Sequence, residues 1–180
     1  TSGGGLFATN GNLTVSNTKF LENKVNITNN NPNSTNSVGG GMQVISVTGN
    51  FTNCLFSENT ASYYGGGARI QSSFLTFNTC DFQDNRAKGG GGVYMTASDT
   101  DFIACNFENN FSQFGQFSTQ EEYHGGGMVI IDGDVEITSC LFSENLTENF
   151  GGGIYFSLGT AIVTQCIFNE NFAIYEDGDP

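Results

Sequence analysis

The sequence predicts an all-β chain, a solenoid of six stacked coils with three strands per coil, and three observations carry that expectation. First, a Gly triplet recurs six times, starting at Gly3, Gly39, Gly65, Gly90, Gly125 and Gly151. Second, a Phe follows each triplet start at a fixed distance of 17 residues, and an Asn follows each Phe by three. Third, the stretch between that Asn and the next triplet varies from 4 to 15 residues. A constant block with one elastic joint is what a stack of identical coils requires, because only the joint can leave the stack without disturbing its neighbours.

Numbering slots from the first Gly, the block runs for 21 residues and its apolar positions alternate. Slot 4 holds Leu6, Met42, Ala68, Val93, Met128 and Ile154, and slot 6 holds Ala8, Val44, Ile70, Met95, Ile130 and Phe156. Slot 13 holds Val15, Phe51, Phe77, Phe102, Ile137 and Val163, with polar residues such as Thr14, Asn50 and Glu136 beside them. Period-2 alternation over short runs means strand, since successive side chains point to opposite faces. No stretch carries a 3.6-residue apolar stripe, so helix is excluded as a main component. Three strands per coil stacked in register make a parallel β-helix, a rod of roughly 29 Å for six rungs at the usual strand spacing.

Three ladders complete the block. The Phe ladder is Phe20, Phe56, Phe82, Phe107, Phe142 and Phe168, expected inward. The Asn ladder is Asn23, Asn59, Asn85, Asn110, Asn145 and Asn171. It suits a corner, because Asn tolerates the left-handed region and its amide both donates and accepts along the stack. All five cysteines share one slot, Cys54, Cys80, Cys105, Cys140 and Cys166, where the first copy has Thr18. An odd number leaves at least one thiol without an intramolecular partner. Parallel Cβ vectors a rung apart exceed the usual disulfide separation. Buried free thiols, adjacent-rung disulfides and metal binding are the three alternatives.

These motifs resemble the chlamydial polymorphic outer membrane protein repeat, in which Gly-Gly-x-Ile/Leu/Val pairs with Phe-x-x-Asn. Gly152-Gly153-Ile154 and Phe168-x-x-Asn171 illustrate the pair. The resemblance covers nearly the whole chain and implies a right-handed β-helix from a secreted or surface-displayed, adhesin-like passenger region. One residue departs from that pattern: the third position is usually Ala there and is Gly in every copy here.

A single domain over residues 1–180 is expected, with insertions at 24–38 and 111–124. No 18-residue apolar run and no signal-like start are present, so no membrane insertion is expected and the segment reads as a piece of a longer or processed chain. The net charge of −13, with only five basic residues, argues against nucleic-acid and anionic-membrane partners. Low charge content with abundant Asn, Ser, Thr and Gly points to an extracellular or cell-surface location.

Sequons begin at Asn12, Asn26, Asn33, Asn50, Asn110 and Asn145. The last two occupy the inward ladder, which leaves Asn12, Asn26, Asn33 and Asn50 as glycan acceptors if the source glycosylates. The slot before the ladder Asn carries Glu22, Glu58, Asp84, Glu144 and Glu170, a solvated stripe or a set of weak Ca²⁺ bridges. No carboxylate-and-base constellation stands out, and neither a catalytic residue, a resident metal nor a cofactor is expected. The outward face of the first strand carries Phe7, Ile45, Tyr94, Val129, Ile131 and Tyr155. Such a stripe is covered by a loop, packs on another chain, or stacks on sugar. The expected function is a non-enzymatic structural or adhesin-like rod. It would self-associate head-to-tail or laterally, with surface glycans or cell-surface proteins as further partners. A polysaccharide-binding or polysaccharide-cleaving protein is the alternative.

Overall fold

A computed structural model of the protein describes residues 2–26, 37–113 and 124–174. Among these residues there are twenty strands and no helix, and every strand pairing is parallel. The strands form three sheets, of eight, six and six members. Pairing joins each slot to the same slot of the next copy: Leu6 to Met42, Met42 to Ala68, Ala68 to Val93, Val93 to Met128 and Met128 to Ile154. The elastic joints therefore leave the register untouched.

Two features differ from the sequence expectation. The runs at slots 4–8 and 10–14 are not separate strands in most copies. They fuse into one 11-residue strand at Leu6–Ser16, Met42–Thr52, Met128–Thr138 and Ile154–Thr164. In the two middle copies the strand is broken, into Ala68–Gln71 with Phe74–Asn78 and Val93–Thr96 with Asp99–Ile103. Strand 42–52 pairs with both 68–71 and 74–78, and 128–138 with both 93–96 and 99–103. The pairing of the large sheet thereby closes on itself through six strands. The middle copies consequently have four strands rather than three.

The second difference is a strand the sequence reading placed in the joint. Lys24–Val25, Thr60–Ala61, Arg86–Ala87, Phe111–Ser112, Leu146–Thr147 and Phe172–Ala173 pair in register directly after the Asn. Residues 24–25 and 111–112 thus belong to the constant block, not to the insertions. Most of each insertion, with the sequon at Asn33, lies outside the described residues.

The chain turns at residues of positive φ, four in each of the first five copies and five in the sixth, where Gly159 is the extra one. Each triplet opens with one such Gly, and the others, Gly159 apart, are non-Gly: Ser46, Asn53 and Glu58 in the second copy, for example, at φ 55°, 52° and 56°. The corner before the Asn ladder is therefore made by the preceding residue, acidic in every copy but the fourth, where it is Asn109, and Asn59 itself is not left-handed. The third Gly of the triplet has a different reason. A Cβ on Gly41 would stand 2.6 Å from the Gly67 carbonyl oxygen and 3.1 Å from the Asn59 amide carbon. The third Gly is thus set by the close approach of successive rungs.

The core is the enclosed channel of the middle copies, filled by slots 4, 6 and 13 with the Cys and Phe ladders. Slot 11 joins them where it is Leu75 or Val135. Burial of this apolar surface, at about 25 cal/mol per Å², is the main driving force for stacking.

Candidate functional site

The repeated polar side chains hold the rungs together. Asn85 Nδ2 donates to Asn110 Oδ1 at 3.0 Å and to the Phe56 carbonyl at 2.8 Å, and the Asn85 backbone N–H donates to Asn110 Oδ1 at 3.1 Å. Asn59 repeats the pattern onto Asn85, Asn110 onto Asn145, and Asn145 onto Asn171. Asn23 begins the ladder by donating to Asn59. Both amide hydrogens and the acceptor of each middle Asn are used, which is the condition for burying an amide without penalty.

Beside the amides runs a column of stacked rings. Consecutive centroids from Phe20 through Phe56, Phe82, Phe107 and Phe142 to Phe168 lie 4.5–4.9 Å apart, with interplanar angles between 1° and 6°. A second column, Phe51, Phe77 and Phe102, meets the first edge-on. Only ring spacing equal to the strand spacing permits such a column, so the two repeats reinforce one another.

The five thiols are free. Each has two backbone carbonyls within reach of its single S–H, as Cys80 has Phe51 and Asn78 at 3.5 Å, and the Cys105 N–H lies 3.4 Å from Cys140 Sγ. Burial pushes Cys54 and Cys166 up from the usual thiol range. Cys105 is raised first by hydrogen bonding with Cys140 and Cys80 and then by burial. The same contacts with Cys105 lower Cys80 and bring Cys140 down to about 7. Cys54, Cys80, Cys105 and Cys140 line the enclosed apolar channel and Cys166 stands half covered at its open end, so burial disfavours the thiolate most in the middle copies. Among the described residues no group of three or more metal-ligating side chains comes together.

The acidic stripe falls on exposed corners. Asn12, Asn26 and Asn50 are exposed, whereas Asn110 and Asn145 are wholly buried. The outward stripe is divided. Phe7 is half exposed, Ile45, Ile131 and Tyr155 are partly covered, and Tyr94 and Val129 are buried within the chain. Residues just before the triplets provide cover: Tyr64 lies 4.4 Å from the Tyr94 ring, and His124 stacks on Tyr155 at 4.0 Å.

Two features were missed by sequence reasoning. One is slot 23, where Val25, Ala61, Ala87, Ser112 and Thr147 are buried; its signal was a run of small or branched residues at constant distance from the Asn. The other is Arg69, whose guanidinium lies 4.8 Å over the Tyr94 ring. Arg69 Nη1 donates to Ile70 O at 2.8 Å and Thr96 Oγ1 at 2.9 Å, and burial lowers its pKa from the ordinary value.

The family model described as Chlamydia polymorphic membrane protein (Chlamydia_PMP) repeat matches residues 139–157. That segment runs from Cys140-x-Phe142-x-x-Asn145 across the joint to Gly151-Gly152-Gly153-Ile154, so it joins the end of one copy to the start of the next. No curated protein and no solved structure matches the chain.

Proposed function

We propose that the chain is a non-enzymatic, surface-displayed structural or adhesin-like rod, wound as a right-handed β-helix of six coils. The observation that carries this is the ladder itself. The side chains that define the repeat, Phe and Asn, bond to their own copies one rung away. Repetition here builds length and stiffness. The match to a membrane-protein repeat supports an outer-surface location and an autotransporter-like setting. Surface glycans and cell-surface proteins are the partners such a rod would present itself to, and Asn12, Asn26 and Asn50 are placed to carry glycans.

The sixth copy supports stacking as the mode of growth. Phe168 is 51% exposed and Val163, Phe156 and Phe172 are also exposed, although their counterparts in the fifth copy are buried or partly covered. This open layer fits a further rung, from the same polypeptide or from the first copy of another molecule, and an open head-to-tail contact of that kind gives a filament. Light scattering tests it: Phe168→Asp should abolish concentration-dependent growth from the 19.2 kDa chain.

A polysaccharide-cleaving enzyme is the rival. Incubation with acidic and neutral polysaccharides, with and without Ca²⁺, is expected to give no new reducing ends and no unsaturated products. Either product would overturn the rod reading.

A further inference from the structure

Slot 5 of the large sheet faces outward between the inward slots 4 and 6. Its register places Gln43 beside Arg69 and Arg69 beside Tyr94 on successive rungs, roughly 4.8 Å apart. Three observations single out this row. Gln43 is 5% exposed, and its Oε1 is buried without accepting a hydrogen bond. Such a group ordinarily has a partner, so its acceptor awaits a donor. Arg69 has no carboxylate partner among the described residues, in a chain with 18 acidic side chains. Its orientation is nevertheless fixed, by the Tyr94 ring and by the two bonds from Nη1, which leaves Nε and Nη2 as an unused pair of parallel donors. That edge is the geometry which grips a carboxylate through two hydrogen bonds.

We propose that Arg69 and Gln43 form a binding site for a hexuronate residue of an acidic polysaccharide. In a hexuronate the carboxylate and the 4-hydroxyl are borne on neighbouring ring carbons. A carboxylate on the Arg69 fork therefore brings that hydroxyl within reach of the adjacent rung, where Gln43 Oε1 accepts its hydrogen. Tyr64, packed on Tyr94, supplies an aromatic edge against the sugar ring. The site deepens the surface-rod reading and rests on it for access to extracellular glycan. Binding and cleavage are read separately, so uronide binding without cleavage upholds both, and failure of binding leaves the rod reading standing.

The test is saturation-transfer NMR of the full chain with methyl β-D-glucuronide, methyl β-D-glucoside, acetate and tetra-alanine as probes. The glucuronide is expected to bind at least tenfold more tightly than each of the others. Arg69→Gln and Gln43→Leu are each expected to weaken it at least fivefold, Gln43→Leu with the thermal melt unchanged and Arg69→Gln with a lowered one, since Ile70 O and Thr96 Oγ1 lose their donor. Should Arg69→Gln fail to fold, Arg69→Lys, which keeps the charge and loses the fork, is expected to show the same loss. Absence of glucuronide binding overturns the proposal, as does a glucoside bound equally well. Acetate or tetra-alanine matching the glucuronide would mean a simple carboxylate or peptide site, and would also overturn it. Unchanged affinity in both variants would place the ligand elsewhere.

Discussion

Replacing Phe82 by Ala probes the stack at its centre. Phe82 is fully buried and faces Phe56 at 4.7 Å and Phe107 at 4.9 Å, with Phe77 and Phe102 edge-on at 5.7 and 6.4 Å. Truncating a buried Phe costs about 3–5 kcal/mol. Four ring contacts of about 0.5–1.5 kcal/mol each put this site at the upper end of that range. Phe168 occupies the same slot of the sixth copy but is half exposed and stacks on one ring, Phe142, at 4.9 Å. Phe168→Ala should cost about 2 kcal/mol, since about half of the burial term and one aromatic contact are at stake. With a urea slope of about 2 kcal/mol per M, the midpoint should fall by roughly 2.5 M for Phe82→Ala and roughly 1 M for Phe168→Ala. Equal shifts, or a larger one at Phe168, would refute the claim that stacking depth sets stability.

Three further outcomes are expected. Asn85→Ala should lower stability by at least about 3 kcal/mol, because Asn59 loses its acceptor and the Phe56 carbonyl loses its donor; a urea melt checks it, and a neutral outcome would remove the amide ladder from the account. Most of the five thiols should resist alkylation in the native state and react once denatured without reductant, as counted by mass spectrometry; two disulfides would contradict the free ladder. Asp101, whose pKa is raised by burial and by Glu136, binds its proton more tightly folded than unfolded. Its contribution to stability therefore falls as pH rises from the unfolded carboxylate value through the raised one. Asp101→Asn should raise the urea midpoint at pH 7 and leave it unchanged at pH 3.

The stack was legible because its ladders are chemically uniform. Phe and Asn at fixed spacing reveal which residues face inward, and Phe82 and Asn85 lie where that spacing puts them. The corners were less legible. At φ 46° and 68°, Ala97 and Leu158 turn the chain as Asn10 does, so residue type did not mark the position. The left-handed residue falls before the Asn because the Asn amide must point along the stack. The strand at slots 22 and 23 was hidden by its length, since two residues show no periodicity. The continuous 11-residue strands were hidden by the left-handed residue at their middle, Ser46 in Met42–Thr52, which a sequence pattern takes as a break. Arg69 carries no repeat at all, and nothing but the register places it beside Gln43.

In this fold the six copies stack one rung at a time along a single axis. Slot 14 connects Ser16, Thr52, Asn78, Ile103, Thr138 and Thr164 through five successive pairings. Replacing Ser16 and Thr164 by a ketone-bearing amino acid, and attaching nitroxides there, allows pulsed electron–electron resonance to measure the span. The expected distance is about 24 Å, and about 19 Å for the pair at 16 and 138, one rung shorter. Equal distances for the two pairs, or a 16–164 distance below about 15 Å, would mean that the strands curl back on themselves, and would contradict the rod.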